Sequence, residues 1–163
     1  MNAVTIFEGI TVLTLLVYFV PLRFKQPLCL VLSLGLALVT TTWAVESFTG
    51  GVGKQHLSMP FWFHNSVLVI DKLSAFFLIV INFGTLTSIL FSRGYMKMYE
   101  TTKRSQDFSL HYFFLLWLQI AMTLVVTLQE GLPFLVAWEI MSLSSFMLVI
   151  FESEKKEILH QKL

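Results

Sequence analysis

Residues Leu132–Phe151 read LPFLVAWEIMSLSSFMLVIF, and Glu139 is the only charged residue among them. A helix of about 20 apolar residues crosses the hydrocarbon core of a bilayer. The stretch therefore predicts a membrane-spanning helix that carries one carboxyl group. Because Glu139 lies seven residues into this helix and each residue adds 1.5 Å, we expect its carboxyl group about 10 Å below the surface.

The composition of the whole chain agrees with a membrane protein. Of its 163 residues, 56% are hydrophobic and 13% are charged, whereas a soluble domain carries about 25% charged residues. The formal net charge of +1 indicates no basic surface for nucleic acid. Cys29 is the single cysteine. The chain alone therefore provides no disulfide framework, cysteine-rich zinc site or iron–sulfur cluster.

Four further apolar stretches have the length of a membrane span, which predicts an all-α integral membrane protein with about five transmembrane helices. We read the chain as a single membrane domain over residues 1–163. The predicted spans are Ala3–Leu22, Pro27–Val45, Leu73–Phe91, Phe108–Leu128 and Leu132–Phe151.

The basic residues predict the orientation. If the helices alternate in direction, three cationic segments fall on one side, and the positive-inside rule makes that side cytoplasmic. The N-terminus is then outside and the C-terminus is in the cytoplasm. The residues that decide this are Arg23 and Lys25, then Arg93, Lys97, Lys103 and Arg104, and finally Lys155, Lys156 and Lys162.

Residues 47–70 form the long loop on the predicted outer side. Its first part contains Gly50, Gly51 and Gly53, and its last part is the β-branched run from Val67 to Ile70. This pattern is compatible with a short hairpin that lies on the outer surface.

Glu139 is the one carboxylate that cannot sit at an interface. On insertion scales an acidic residue near the helix centre costs about 2.5–3.5 kcal/mol, and such residues usually face a bundle interior or a wet cavity. Ser142 follows at i+3 and shares its face. Two hypotheses stand: Glu139 is a protonation site for ion translocation, or it is a protonated acid that is hydrogen-bonded to a neighbouring helix.

Two other predicted spans carry polar arcs at helical spacing. They either hydrate a half-channel beside Glu139 or hold helices together by hydrogen bonds. The arc of the third span is Asn82, Thr85, Ser88 and Ser92, and that of the fourth span is Gln119, Thr123 and Thr127.

Three more ionisable residues have competing interpretations. His111, one turn into the fourth span, is either a proton relay or an ordinary interfacial histidine. Asp71 and Lys72 open the third span at the outer interface. There they are candidate interface residues, and helix capping by Asp71 is the simpler explanation.

Two stretches resemble the antiporter-like, proton-translocating membrane subunits of respiratory complex I, Mrp-type sodium/proton antiporters and membrane-bound hydrogenases. VIDKLSAFFLIVI at 69–81 is similar to the opening of that family's third helix, and FLVAWEIMSLSSFMLVIFE at 134–152 is similar to its fifth. The second stretch looks closest to the branch of hydrogenase-4 component B and formate hydrogenlyase subunit 3.

The resemblance implies a role for Glu139 and identifies what this chain lacks. In the family, the glutamate at this position pairs with a lysine on a later, broken helix, and changes in that pair move protons. Family members have about fourteen or more helices. The resemblance therefore implies that this chain corresponds to their N-terminal part, without the partner lysine.

The expected function is a part of a redox-driven proton- or sodium-translocating complex of the hydrogenase or NADH:quinone oxidoreductase type. The resemblance implies multi-pass insertion in a prokaryotic inner membrane, with other membrane subunits as partners. The chain has no catalytic site of its own and binds no cofactor; iron–sulfur and metal centres are expected on partner subunits. The alternative is a truncated, non-transporting remnant or a structural subunit.

Overall fold

The computed structural model describes residues 3–17, 20, 22–57, 66–97 and 105–160. Lys103, Arg104 and Lys162, which contribute to the predicted orientation, lie outside this part of the chain, as do residues 58–65 of the predicted outer loop. Five helices and one two-stranded sheet follow one another along the chain. They are α1 (Ala3–Leu16), α2 (Leu22–Gly50), β1 (Gly53–His56), β2 (Val67–Ile70), α3 (Lys72–Lys97), α4 (Ser105–Thr127) and α5 (Gly131–His160).

Four of these helices are long and apolar enough to cross a membrane. Their apolar segments are Gln26–Gly50, Lys72–Ser92, Ser109–Thr127 and Gly131–Ile150. The chain is therefore an all-α, multi-pass membrane protein with a small hairpin. The first predicted span differs, because α1 ends at Leu16 and leaves a shorter apolar helix. Pro21 follows in the sequence, and a proline disfavours a helical conformation in the residue before it.

Helix α4 lies at the centre of the bundle, because it packs against α1, α2, α3 and α5. In both α2 and α4, half of the most apolar 18-residue stretch is buried inside the protein. In contrast, α5 packs mainly against α4, and only 17% of its most apolar 18-residue stretch is buried. Helix α5 is therefore an edge helix whose far side has no neighbour among the described residues.

The hairpin covers one end of the bundle, which we name the hairpin end. Strands β1 and β2 pair antiparallel, from Gly53 opposite Ile70 to His56 opposite Val67. Gly51, with a φ of 95°, turns the chain out of α2, a conformation that glycine adopts without strain. Three buried hairpin side chains pack into one cluster with the bundle; they are Leu57, Leu68 and Ile70.

Candidate functional site

Glu139 lies on the side of α5 that faces away from the bundle. Its side chain is exposed, whereas Ala137 and Ser144 on the same helix are 0% and 2% exposed. At 3.6 residues per turn, these two residues lie about 140–160° around the helix from Glu139. The carboxyl group therefore faces the opposite direction from the surface that packs on α4.

Four neighbouring residues of α5 form a shallow open depression of about 370 Å³, and they are Trp138, Glu139, Ser142 and Leu143. Trp138 is 51% exposed and Leu143 is 58% exposed. Within the part of the chain that the structure describes, no residue hydrogen-bonds the Glu139 carboxyl group. A carboxyl group at this depth is costly in lipid, so this face is suited to contact with further protein.

Gln119 lies in a separate buried polar cluster that joins α2, α3 and α4. The Ser33 hydroxyl donates to Gln119 Oε1 at 2.7 Å. Gln119 Nε2 donates to Asn82 Oδ1 at 3.4 Å, and Asn82 Nδ2 donates to Thr40 Oγ1 at 2.8 Å. All four side chains are buried. Because α5 takes no part in this cluster, Gln119 and Glu139 do not line a common surface.

The remaining hydroxyls of the two predicted polar arcs are bonded mostly within their own helices. Thr123 and Thr127 donate to the carbonyls of Gln119 and Thr123 at 2.9 and 2.7 Å. Thr85 and Ser88 donate in the same way to Ile81 and Gly84, at 2.9 and 2.8 Å. Ser92 donates instead to the Tyr112 hydroxyl at 3.4 Å. The two arcs therefore contribute hydrogen bonds within and between helices.

His111 lies near the end of α4 that is far from the hairpin. Its ring contacts Tyr112 edge-on, with ring centroids 5.6 Å apart and an interplanar angle of 78°. Glu139 comes eight residues after the start of α5, which is at the hairpin end. The two residues therefore lie at different depths and on different helices.

Asp71 caps α3 at the hairpin end. Its Oδ1 accepts a hydrogen bond from the Ser74 backbone N–H at 2.7 Å, and its backbone oxygen accepts one from Ala75 at 2.8 Å. The backbone and side-chain hydrogen bonds from Ser74 lower the pKa of Asp71 below its ordinary value. Lys72, the first residue of α3, is exposed.

Two contacts were not predicted from the sequence. One is Ser33, whose partner Gln119 lies 86 positions away and left no local signal. The other is Glu130, whose Oε1 accepts a hydrogen bond from the Val67 backbone N–H at 3.2 Å. The position of Glu130 directly before a predicted span is the only sequence signal for its role. The described residues contain no group of three or more His, Cys, Asp or Glu that could hold a metal ion.

The fold defines a multi-pass membrane protein, and one face of its edge helix α5 is not covered by any described residue. No protein-family model matches the chain. Hydrogenase-4 component B of Escherichia coli (strain K12) is 33% identical to it over 99 residues. The match covers 61% of this chain and 14% of that protein. The similarity supports a relationship to a membrane subunit of a hydrogenase.

Proposed function

We propose that the chain is part of a membrane subunit of a redox-driven, proton- or sodium-translocating complex related to hydrogenase-4, with Glu139 as a protonation site that a neighbouring helix covers. One observation carries this proposal: within the apolar segment Gly131–Ile150, Glu139 is exposed on a face of α5 that no other described helix covers. The identity to hydrogenase-4 component B supports the class of complex. Redox centres belong, in this proposal, to partner subunits.

The partner of Glu139 must come from another segment. A carboxylate at this depth needs an opposite charge or a hydrogen-bond donor to offset the cost of leaving water. Lys54 lies in β1 and Lys72 at the first residue of α3, both at the hairpin end, and the other lysines flank the spans in the sequence. The resemblance to the antiporter-like subunits implies that this partner is a lysine on a later helix, outside residues 1–163.

Ser142 is the nearest candidate to assist Glu139, because both line the same depression. We propose that its hydroxyl assists the carboxyl group directly or through water beside it. Gln119 and His111 are more distant candidates. The contacts of Gln119 with Ser33 and Asn82 favour a role in fixing α4, and His111 would act only at the opposite end of the bundle.

We place the hairpin end and the N-terminus outside, and the C-terminus in the cytoplasm of a prokaryotic inner membrane. The basic residues after the first span, between α3 and α4 and after the fifth span support this orientation. Residues 1–163 form one membrane domain in this proposal, equivalent to the N-terminal part of a longer antiporter-like fold.

Photocrosslinking of the tagged chain in its native membrane tests this function. A crosslinking amino acid at Leu143 should capture a polypeptide that supplies further helices, and mild-detergent purification should recover it with hydrogenase-type or quinone-reductase subunits. Phe83 on α3 is a matched control, because it is 71% exposed and lies outside the depression. Capture of lipid alone at both positions would contradict the proposal.

A structural, non-transporting role is the second candidate, and the hydrogen bonds that Gln119 and Ser92 make between helices favour it. On a helix face in the hydrocarbon core, a leucine costs less than a carboxyl group. If this role is correct, Glu139→Leu leaves the assembly and its ion translocation unchanged. Loss of translocation with intact assembly would exclude it.

A further inference from the structure

Glu130 bonds two elements of the hairpin end at once. Its Oε1 accepts the Val67 N–H, at the first residue of β2, at 3.2 Å. Its backbone oxygen accepts the N–H of Phe134, in the first turn of α5, at 3.0 Å. One residue therefore connects the hairpin to the helix that carries Glu139.

The packing around Glu130 follows the same connection. Leu68 of β2 forms an antiparallel bridge with Leu128, two residues before Glu130. Leu68, Leu128 and Ala137 of α5 belong to one buried cluster, against which Phe134 also packs. The N-terminal part of α5 thus packs on α4 and belongs to the same buried cluster as the hairpin.

Helix α5 packs extensively on α4 and has few contacts with other elements. The hydrogen bond from Val67 to Glu130 therefore gives the start of α5 a second point of attachment. Glu139 follows Glu130 by nine residues, about 13 Å along the helix. Because Gly131 to Glu139 lie on one continuous helix, a shift at the start of α5 would also move Glu139.

We propose that Glu130 is a positioning residue, which fastens the hairpin to the start of α5 and so fixes the place of Glu139 in the membrane. Its importance for translocation rests on the proposed function of Glu139. The fastening itself does not depend on that function, because it is a property of the two hydrogen bonds and the shared cluster.

Amide hydrogen exchange of the whole chain in lipid nanodiscs, with its co-purifying subunits, tests the fastening. We expect Glu130→Ala to accelerate exchange about fivefold in both 67–70 and 131–137, which corresponds to about 1 kcal/mol of opening free energy for one hydrogen bond. Glu130→Gln keeps an oxygen acceptor and should restore slow exchange. Glu46→Ala, at an exposed carboxylate at the end of α2 that adjoins the hairpin, is the control and should change neither segment.

Any other pattern of exchange in these variants would overturn the inference. Acceleration confined to 67–70 would show that Glu130 secures the hairpin without positioning α5. Equal acceleration by Glu130→Gln would show that charge, not the hydrogen bond, is responsible. Should Glu130→Ala fail to fold, Val67→Pro removes the donor at the first residue of a strand, where proline is tolerated, and must give the same pattern.

The link to function has its own readout. With normal assembly, Glu130→Ala should lower ion translocation and Glu130→Gln should restore it. Unchanged translocation in Glu130→Ala would contradict the positioning role, whereas unchanged translocation in Glu139→Gln would contradict the proposed function and leave the exchange result intact.

Discussion

Ser144 and Glu139 lie five residues apart on α5 and face opposite directions. Ser144 is 2% exposed against the bundle, whereas Glu139 is exposed within the depression beside Trp138 and Ser142. Small residues such as Ala137 and Ser144 let neighbouring helices approach closely in membranes. The contact with α4 therefore uses the small-residue face of α5 and leaves the carboxyl group uncovered by the described residues.

The cluster around Gln119 should control the stability of the bundle. Gln119→Ala removes the acceptor of the buried Ser33 hydroxyl and one of the hydrogen bonds of Asn82, and we expect a loss of about 1–2 kcal/mol in the free energy of unfolding. Titration of the chain with a denaturing detergent measures this loss. Thr87→Ala is the control, because the Thr87 hydroxyl bonds only to its own helix. Equal stability of the two variants would show that the cluster contributes nothing.

Asp71 should support α3 through its cap. Asp71→Ala removes the acceptor for the Ser74 N–H, and loss of such a cap costs about 0.5–2 kcal/mol. Asp71→Asn should retain most of the stability, because asparagine also caps helices. Thermal unfolding followed by circular dichroism at neutral pH separates the three proteins, and a loss in Asp71→Asn as large as that in Asp71→Ala would argue against the cap.

The same residue predicts a pH dependence. Because folding lowers the pKa of Asp71, its stabilising contribution is complete above the unfolded pKa, whose ordinary value is 3.8. The contribution is lost as the pH falls through the still lower folded pKa. Unfolding measured between pH 2 and pH 6 should show a decline at acid pH that is smaller in Asp71→Asn. An identical decline in both proteins would assign the acid sensitivity to other groups.

The hairpin should be a stable part of the fold. Leu68 is 0% exposed within the cluster at the hairpin end, and Leu68→Ala should cost about 2–5 kcal/mol. Val52→Ala, at a residue that is 62% exposed, should change stability by less than about 0.5 kcal/mol. Limited proteolysis of the hairpin and detergent unfolding both report the difference. Similar results for the two variants would mean that the hairpin is only loosely attached.

The membrane spans could be predicted from the sequence because hydropathy over about 20 residues is a local property. The expected depth of Glu139 rests on the same local property and stays a prediction. The extent of α1 was predicted wrongly, because the predicted span was continued across Pro21 on hydropathy alone. The side that Glu139 faces depends on which surface of α5 packs on α4. The small residues Ala137 and Ser144 were an available sequence signal for that surface.

The buried contacts between distant segments were beyond sequence reasoning. Ser33 and Gln119 are 86 positions apart, and nothing in the helical spacing of Gln119, Thr123 and Thr127 shows which helix they face. The bond from Val67 to Glu130 joins a strand to a helix start across 63 positions. Such pairs depend on how the helices are arranged, which a single sequence does not specify.

Ion translocation by the assembled complex in proteoliposomes tests the role of Glu139 most directly. Glu139→Gln keeps the size and hydrogen-bonding capacity of the side chain and removes its titration. We predict that the number of ions translocated per electron transferred falls at least about tenfold, while the complex assembles normally. The control Glu46→Gln should translocate ions at the normal rate. A normal rate in the fully assembled Glu139→Gln complex would contradict the account.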